Sequence, residues 1–399
     1  MKPLEGLRVI DLTQAMAAPF CTMNLADMGA DVIKIEPPGE GEPTRQLGAA
    51  QKNGHSATFM TMNRGKRGLA VDLKRPEGLE IMQRLVATAD VFVQNYRPGV
   101  AQRLGLGYDA LAAINPRLIY CAVSGFGATG PYAPLGGYDL IAQGMSGIIS
   151  VTGDEQGPPA KSGVPLSDLS AGLFAAYGIL CALEYRERTG EGQFVDTSLL
   201  ESAMALTVWE SAEYWATGRV PKAMGSAHRL SAPYQALRAR DGYFTVGAGN
   251  DKLFAALCSA IGRPDLPADA RFRSRVERLA NRAALIAEIE NVTVTEPGAY
   301  WLRRLDEAGV PSGPINNYAE ALADPHTLAR HMVVDLTHPG AGAIKALGVP
   351  VKLSETPGAV DRPAPLLGQH TAEILAELSY SEPAQQALIS AGVIQRGGT

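Results

Sequence analysis

Residues 8–36 read RVIDLTQAMAAPFCTMNLADMGADVIKIE, and this stretch decides the fold. Arg8–Leu12 is a short run rich in the β-branched residues that favour strands. Pro19–Met28 has the length and composition of a helix, and Gly29 ends it. Asp31–Ile35 is a second strand-like run, closed by Pro37-Pro38. Strand, helix and strand joined by such short links make a βαβ unit, with both strands parallel in one sheet. The alternation continues outward. Gly68–Leu73 reads as a strand, Pro76–Thr88 as a helix, and Asp90–Asn95 and Arg117–Val123 as further strands. The expected fold class is α/β, with a parallel, doubly wound sheet.

Further along, Leu169–Arg186 reads as one long helix, Gln193–Asp196 as a strand and Leu199–Thr217 as a helix. Composition changes near Gly218–Ser226. Tyr234–Gly247 looks like a strand–turn–strand unit around Asp241-Gly242, and helices are expected at Lys252–Ile261 and Ala280–Ile289. A smaller α+β domain fits this region. Sequence rich in Pro and Gly returns after Pro311. Extended segments are expected over His338–Pro365 and a closing helical pair over Thr371–Gly392. The chain therefore divides into 1–217, a small domain at 218–330, and a return segment at 331–399.

The 399 residues are 46% hydrophobic and 19% charged, with a formal net charge of −5, which is the balance of a globular chain. This mild acidity gives no reason to expect nucleic acid or membrane partners. Four cysteines, at 21, 121, 181 and 258, contain no CxxC pair and read as buried free thiols in a reducing compartment. Residues 1–11 lack the apolar core of a signal peptide, so a cytoplasmic location is expected. The apolar run Ala171–Leu183 is shorter than the ~20 residues of a membrane span and reads as a buried helix.

Several familiar chemistries lose their motifs. Gly125-Phe-Gly-Ala-Thr-Gly130 matches GxGxxG after a strand, but Pro131 follows and no helix opens. The first βα turn, Thr13–Pro19, holds no glycine. Glu36, at the end of the second strand, resembles a ribose-binding acid without the glycines that should accompany it. No two of the six histidines are spaced as metal ligands. Between Arg64 and Arg103, eight basic residues face four acidic ones. They are either solvated helix faces or a polyanion site. Lys74 and Arg97 favour the second, since they follow strand ends, where α/β sheets bind ligands. Asp168 precedes the apolar helix. It is either an N-cap or a carboxylate kept ionised by the helix terminus and able to act as a nucleophile, with Ser167 as the cap.

Taken together, the motifs resemble class III coenzyme A transferases, the CaiB/BaiF type. The resemblance rests on Pro3–Thr13, Ala26–Pro37, Asn95-Tyr-Arg-Pro-Gly99, Gly125-Phe-Gly127, Ser167-Asp-Leu-Ser-Ala-Gly172 and Arg188–Gln193. It continues through Ser231-Ala-Pro-Tyr-Gln235, Gly309–Ile315 and Leu366–Thr371, so it covers essentially the whole chain in family order. It implies a Rossmann-like large domain with a smaller inserted α+β domain, in an interlocked, chain-link homodimer. It implies CoA transfer between an acyl-CoA donor and a carboxylic acid acceptor, with CoA met as a substrate and no tightly bound cofactor.

By the same resemblance, Asp168 matches the nucleophilic aspartate, which would pass through acyl-anhydride and aspartyl-CoA thioester intermediates. Ala15, Met16, Ala17, Lys74, Asn95, Tyr96, Arg97, Arg103 and Leu104 match positions around CoA. Tyr138 and Asp139 match a substrate-side pair. Related α-methylacyl-CoA racemases carry Gly-His-Asp where this chain has Gly137-Tyr-Asp139. A tyrosine is a poor proton-transfer base near pH 7, which disfavours racemase or epimerase chemistry. Formyl-CoA:oxalate transferases cover the aspartate with a tetraglycine loop. Here the loop is Met224-Gly-Ser-Ala-His-Arg229, in which His228 and Arg229 either meet a larger acid or stand in a solvated loop. Succinyl-CoA is the expected donor and a small organic acid, mono- or dicarboxylic, the acceptor. The alternatives are a racemase-like enzyme and a non-catalytic CoA-binding homologue.

Overall fold

The computed structural model describes residues 1–48 and 50–397, so the last two residues of the expected return segment lie outside the described residues. The chain forms two compact units. One takes Met1–Ile148, Lys161–Thr217 and the chain from Pro325 onward; the other takes Ile149–Ala160 and Gly218–Asp324.

The first unit is built on β1 (Arg8–Leu12), α1 (Ala17–Asp27), β2 (Asp31–Glu36), β3 (Arg67–Val71), α2 (Pro76–Ala87), β4 (Val91–Gln94), α3 (Tyr108–Ile114), β5 (Ile119–Ser124), α4 (Asp139–Met145), α5 (Leu166–Thr189) and β6 (Phe194–Ser198). The strands lie side by side in the order β3-β2-β1-β4-β5-β6, all parallel. This is the strand order of the doubly wound dinucleotide-binding fold. A seventh strand, Ile394–Gln395, pairs antiparallel with β3 and closes that edge.

Alternate strand residues serve opposite faces, and both faces are apolar because helices cover each. Val9, Val32, Val91, Val93, Ile119, Cys121 and Val123 pack under α1 and α5. Ile10, Leu12, Ile33, Ile35, Leu69, Phe92 and Tyr120 pack under α2, α3 and the C-terminal Ile374, Leu375 and Val393. Gly172 lets α5 approach α1: a Cβ there would stand 2.5 Å from the Ala17 carbonyl oxygen.

Within the first face lies a charged layer. Asp11, Lys34 and Lys66 are fully buried. Lys66 Nζ is 2.7 Å from Asp11 Oδ2 and donates to the Pro19 carbonyl and Asn63 Oδ1. Thr22 Oγ1 donates to Asp11 Oδ2. Lys34 Nζ donates to the Thr13 carbonyl at 2.8 Å and meets Glu42 at 3.1 Å. Burial pushes the Asp11 carboxyl upward, but Lys66 and Lys34 outweigh it and hold it at about 2. Burial pushes Lys66 down to about 8.

The second unit holds a three-stranded antiparallel sheet, Ser312–Pro314, Gly242–Gly247 and Tyr234–Ala239 in that order. Helices Asp251–Ala260, Arg282–Thr293 and Gly298–Glu307 cover it around Phe244, Phe254, Leu257, Leu285 and Trp301.

Several expectations need correction. The expected Leu199–Thr217 helix is two, Leu199–Ala205 and Val208–Thr217. Thr207 turns its backbone N–H and its hydroxyl onto the Met204 carbonyl and takes the chain out of the helix. The α5 helix runs 24 residues, long enough by length to cross a bilayer. It is half buried rather than buried. Ala171, Ala175, Ile179 and Ala182 pack inward, while Leu173, Phe174, Tyr177 and Leu180 are exposed. Cys181 shares that outward side and is the exposed thiol among four free ones. The strand Ile394–Gln395 was too short to read.

Removing one member of a buried ion pair strands the other's charge, so Asp11→Ala should cost about 3–5 kcal/mol in chemical denaturation. Exposed Arg188→Ala should change stability by less than about 0.5 kcal/mol. The folded pKa of Asp11 lies below its ordinary value of 3.8. Its contribution is therefore complete above that pH and is lost as pH falls toward 2. An Asp11→Ala protein whose unfolding midpoint matches the parent's at neutral pH would overturn this reading.

Candidate active site at the switch point of the sheet

The chain leaves β1 toward β2 and β3, whereas β4, β5 and β6 extend the sheet the other way. Loops leaving the carboxyl ends of β1 and β4 therefore diverge, and a crevice opens between them. That crevice is a cavity of about 340 Å³ lined by residues that include Gln14–Ala17, Asn95–Pro98, Tyr138, Asp168 and Leu199.

Its floor is the loop after β1. Ala15 has φ +64°, a left-handed conformation disfavoured for a residue with a Cβ. The Asn95 amide holds the turn from one side, accepting from Gln14 N at 2.8 Å and donating to Gln14 O at 2.7 Å. Lys34 holds it from below through the Thr13 carbonyl. Helix α1 then starts at Ala17 with no side-chain cap, so its first N–H groups keep no side-chain acceptor.

One wall comes from α4. A Cβ on Gly125 would stand 2.6 Å from the Gly137 Cα, so two backbones touch there and only glycine fits either position. This contact brings Tyr138 to the sheet's carboxyl edge. Arg97 lies along the same wall, its guanidinium packed over the Gly136 backbone.

Asp168 enters from α5. It is the third residue of the helix, not ahead of it, and neither it nor Ser167 is the cap. That position is Pro165, which has no side chain to offer a bond. Burial, then the nearby Asp139 carboxylate, push the Asp168 carboxyl up to about 6.

Of the residues expected around CoA, the cavity brings together Ala15, Met16, Ala17, Asn95, Tyr96 and Arg97, with Tyr138 and Asp168 beside them. Lys74, Arg103 and Leu104 do not line it. Leu104 packs on the apolar core under α2 and α3. Asp139 lies behind the wall, bonded to Ser167 N and Gln143. His228 and Arg229 belong to the second unit. There the His228 ring lies 4.8 Å from that of Tyr234, and His228 Nδ1 accepts from Leu230 N. His228 lines a separate cavity of about 530 Å³ with Ser226, Thr245 and Ser312. Arg229 donates to the Lys222 carbonyl.

The basic window resolves into three groups. Arg75 and Arg84 make exposed pairs with Glu77 and Glu80. Arg64, Lys66 and Arg67 pair with Asp27, Asp11 and Asp31. Lys74, Arg97 and Arg103 are exposed and form no ion pair among the described residues. Glu36 is no ribose acid: Arg45 takes both its oxygens at 2.7 Å. Gln14, Gly125, Gly136 and Gly137 line the cavity without having been singled out as site residues. Their roles are backbone ones, which side-chain chemistry does not announce.

A family model described as CoA-transferase family III matches residues 4–371. The chain belongs to this family. It is 42% identical to mouse succinyl-CoA:glutarate CoA-transferase over all of its own length and 92% of the relative's. It is 43% identical to acetyl-CoA:oxalate CoA-transferase of Acetobacter aceti, covering 95% of this chain and 97% of that one. Among solved structures, a CAIB/BAIF family protein from Brucella suis superposes with a TM-score of 0.86 at 42% identity, over 94% of this chain and 99% of that one. The protein is a CoA-transferase, acting between acyl-CoA and carboxylic acids. The racemase and non-catalytic alternatives give way to this activity.

The touching backbones of Gly125 and Gly137 set one wall of the cavity. Gly125→Ala should push Tyr138 away from the sheet edge and lower kcat/KM by about 100-fold, while the thermal midpoint falls only a few degrees. Unchanged steady-state kinetics would show that this wall does not shape the site.

Proposed function

We propose that the transferase moves CoA from succinyl-CoA to a small dicarboxylic acid, with Asp168 as the covalent nucleophile. The observation that carries this is the placement of Asp168. It is a half-buried carboxylate with a raised pKa, in the cavity at the switch point. The Asp168 carboxylate attacks the thioester carbonyl, and the C–S bond breaks to release CoA thiolate and leave a mixed anhydride. The thiolate then attacks the aspartyl carbonyl, expelling succinate and forming an aspartyl-CoA thioester. The acceptor carboxylate attacks that thioester and again frees the thiolate. The thiolate takes the acceptor's acyl carbon and returns Asp168 to its carboxylate. The thioester bond energy is conserved throughout.

Several features support the substrates. Lys74, Arg97 and Arg103 follow β3 and β4 at the same edge of the sheet, suited to the phosphates of CoA. The mouse relative is named for succinyl-CoA and glutarate, and the Acetobacter relative for acetyl-CoA and oxalate. We also propose that two copies form the interlocked homodimer. Support comes from the exposed Leu140, Ile141 and Met145 of α4, Leu173, Phe174 and Tyr177 of α5, and Trp209 and Trp215. Such an apolar surface is unusual for a face left in water. His228 and Arg229 are proposed, from the place of their loop in the family resemblance, to meet the acceptor acid. Four free thiols fit a cytoplasmic enzyme.

Incubation with succinyl-CoA followed by hydroxylamine should mark the peptide containing Asp168 in mass spectrometry, and the mark should vanish in Asp168→Ala. Since Asp168 attacks only when ionised, the rate should fall as pH drops through about 6. Absence of the mark with succinyl-CoA and acetyl-CoA, under conditions of turnover, would rule out the covalent route. Sedimentation at micromolar concentration should give twice the chain mass of 42.1 kDa.

A further inference from the structure

We propose that Asp139 and Gln143 form a clamp that positions Asp168, making Asp139 a positioning residue rather than a substrate contact. The inference rests on Asp168 being the nucleophile.

An α-helix start leaves backbone N–H groups that a Ser, Thr, Asp or Asn at the cap position ordinarily satisfies, bonding the second or third residue. Helix α5 begins after Pro165, which has no such side chain. The bond is supplied from another helix. Asp139 Oδ1 accepts from the N–H of Ser167, the second residue of α5, at 2.9 Å. Ser167 Oγ returns a bond to the Asp139 carbonyl. Asp139 is thus the cap of α5, acting across the fold, and Asp168 is the residue directly after the one it holds.

The other oxygen is also occupied. Asp139 Oδ2 accepts from Gln143 Nε2 at 2.8 Å, one helical turn along α4. The Gln143 amide is fully buried, and its Oε1 accepts from Ser162 N at 2.9 Å. Helix α4 therefore grips the segment 162–167 at both ends, through Ser162 and Ser167. That segment fixes how α5 enters the fold and where its first turn, with Asp168, stands against the cavity.

The same contact carries an electrostatic consequence. The titratable or charged groups around Asp168 are Tyr138 and Asp139 from α4 and Tyr96 and Arg97 from the loop after β4; α1 and Leu199 bring no charge. Asp139 is the carboxylate among them, and its charge makes the Asp168 anion harder to keep.

Three variants test the clamp: Asp139→Asn, Asp139→Glu and Gln143→Ala. Each is followed by kcat and KM across the acid-to-neutral range and by 13C-carboxyl NMR. The Asp168 resonance is assigned by its loss in Asp168→Asn. Asp139→Asn should move the Asp168 midpoint down from about 6 and lower kcat with KM little changed. The shift should be roughly one pH unit and the loss of kcat about 10-fold or more. Asp139→Glu keeps the charge, and Gln143→Ala removes the Ser162 tether and the amide bond to Asp139 without changing a charge, so both should lower kcat while the midpoint stays near 6. A midpoint unmoved in Asp139→Asn would overturn the proposal. So would a raised KM with unchanged kcat, the mark of a substrate contact. Full activity in Asp168→Ala alongside the NMR shift would instead remove the nucleophile and leave the clamp standing.

Discussion

The ammonium of Lys66, 2.7 Å from the Asp11 carboxylate with both groups shut off from water, is the constraint beneath the site. A buried ion pair is a poor source of net stability, because desolvating two charges offsets most of their attraction. Its effect here is geometric. Lys66 also reaches the Pro19 carbonyl and Asn63, Asp11 also takes Thr22, and Lys34 takes the Thr13 carbonyl. The end of β1, the first turn of α1 and the loop between them are thus tied from inside the core. Each tie is a hydrogen bond to a charged group, stronger and more directional than a neutral one. A glycine-rich phosphate loop reaches its shape through backbone freedom. This loop holds Ala15 in a left-handed conformation by being gripped, from below by the buried lysine layer and from the side by Asn95.

That contrast explains what the sequence could and could not reveal. The parallel sheet was legible because Val9, Ile10, Val32, Ile33, Phe92 and Val93 form unbroken apolar runs that a sheet covered on both faces requires. The placement of Asp11, Lys34 and Glu36 was not legible. Strand-like runs with one charged residue usually read as half-exposed, and only the partners, distant in sequence at Lys66, Glu42 and Arg45, show that the charges are internal. The same holds for the basic window. Charge counting cannot tell Lys66, spent on Asp11, from Lys74, exposed at the sheet's edge.

At the site itself, the residues legible by motif are ones whose side chains stand out in the sequence. Asp168, Arg97 and Tyr138 line the cavity. Asn95 lines it too, and both ends of its amide face the Gln14 backbone. A Ser-Asp pair ahead of an apolar run is a common start signal, which places Asp168 before the helix with either Asp168 or Ser167 as its cap. The helix instead begins at Leu166, and the cap comes from Asp139, a residue that no local pattern connects with it. Caps supplied across the fold leave no spacing to read. The touching glycines at 125 and 137 are similarly silent, since each looks like loop until the two backbones are seen together.

The electrostatics of Asp168 bear on why a carboxylate should serve as a nucleophile at all. The start of a helix favours an anion, but burial and Asp139 act the other way and win, leaving a pKa of about 6. A more basic carboxylate is a better nucleophile, and at pH 7 a group with that pKa is still about nine-tenths ionised. The raised value is also a statement about the resting state, whose anion is held where it is poorly solvated and repelled. In the proposed exchange, Asp168 loses its charge on forming either the anhydride or the CoA thioester. Both covalent states therefore escape the repulsion and the desolvation that the free carboxylate bears. Differential stabilisation of this kind lowers the barrier only where the environment distinguishes the states. Asp139 does so by sign of charge, while the hydrogen bonds it makes to Ser167 and Gln143 keep it from moving away.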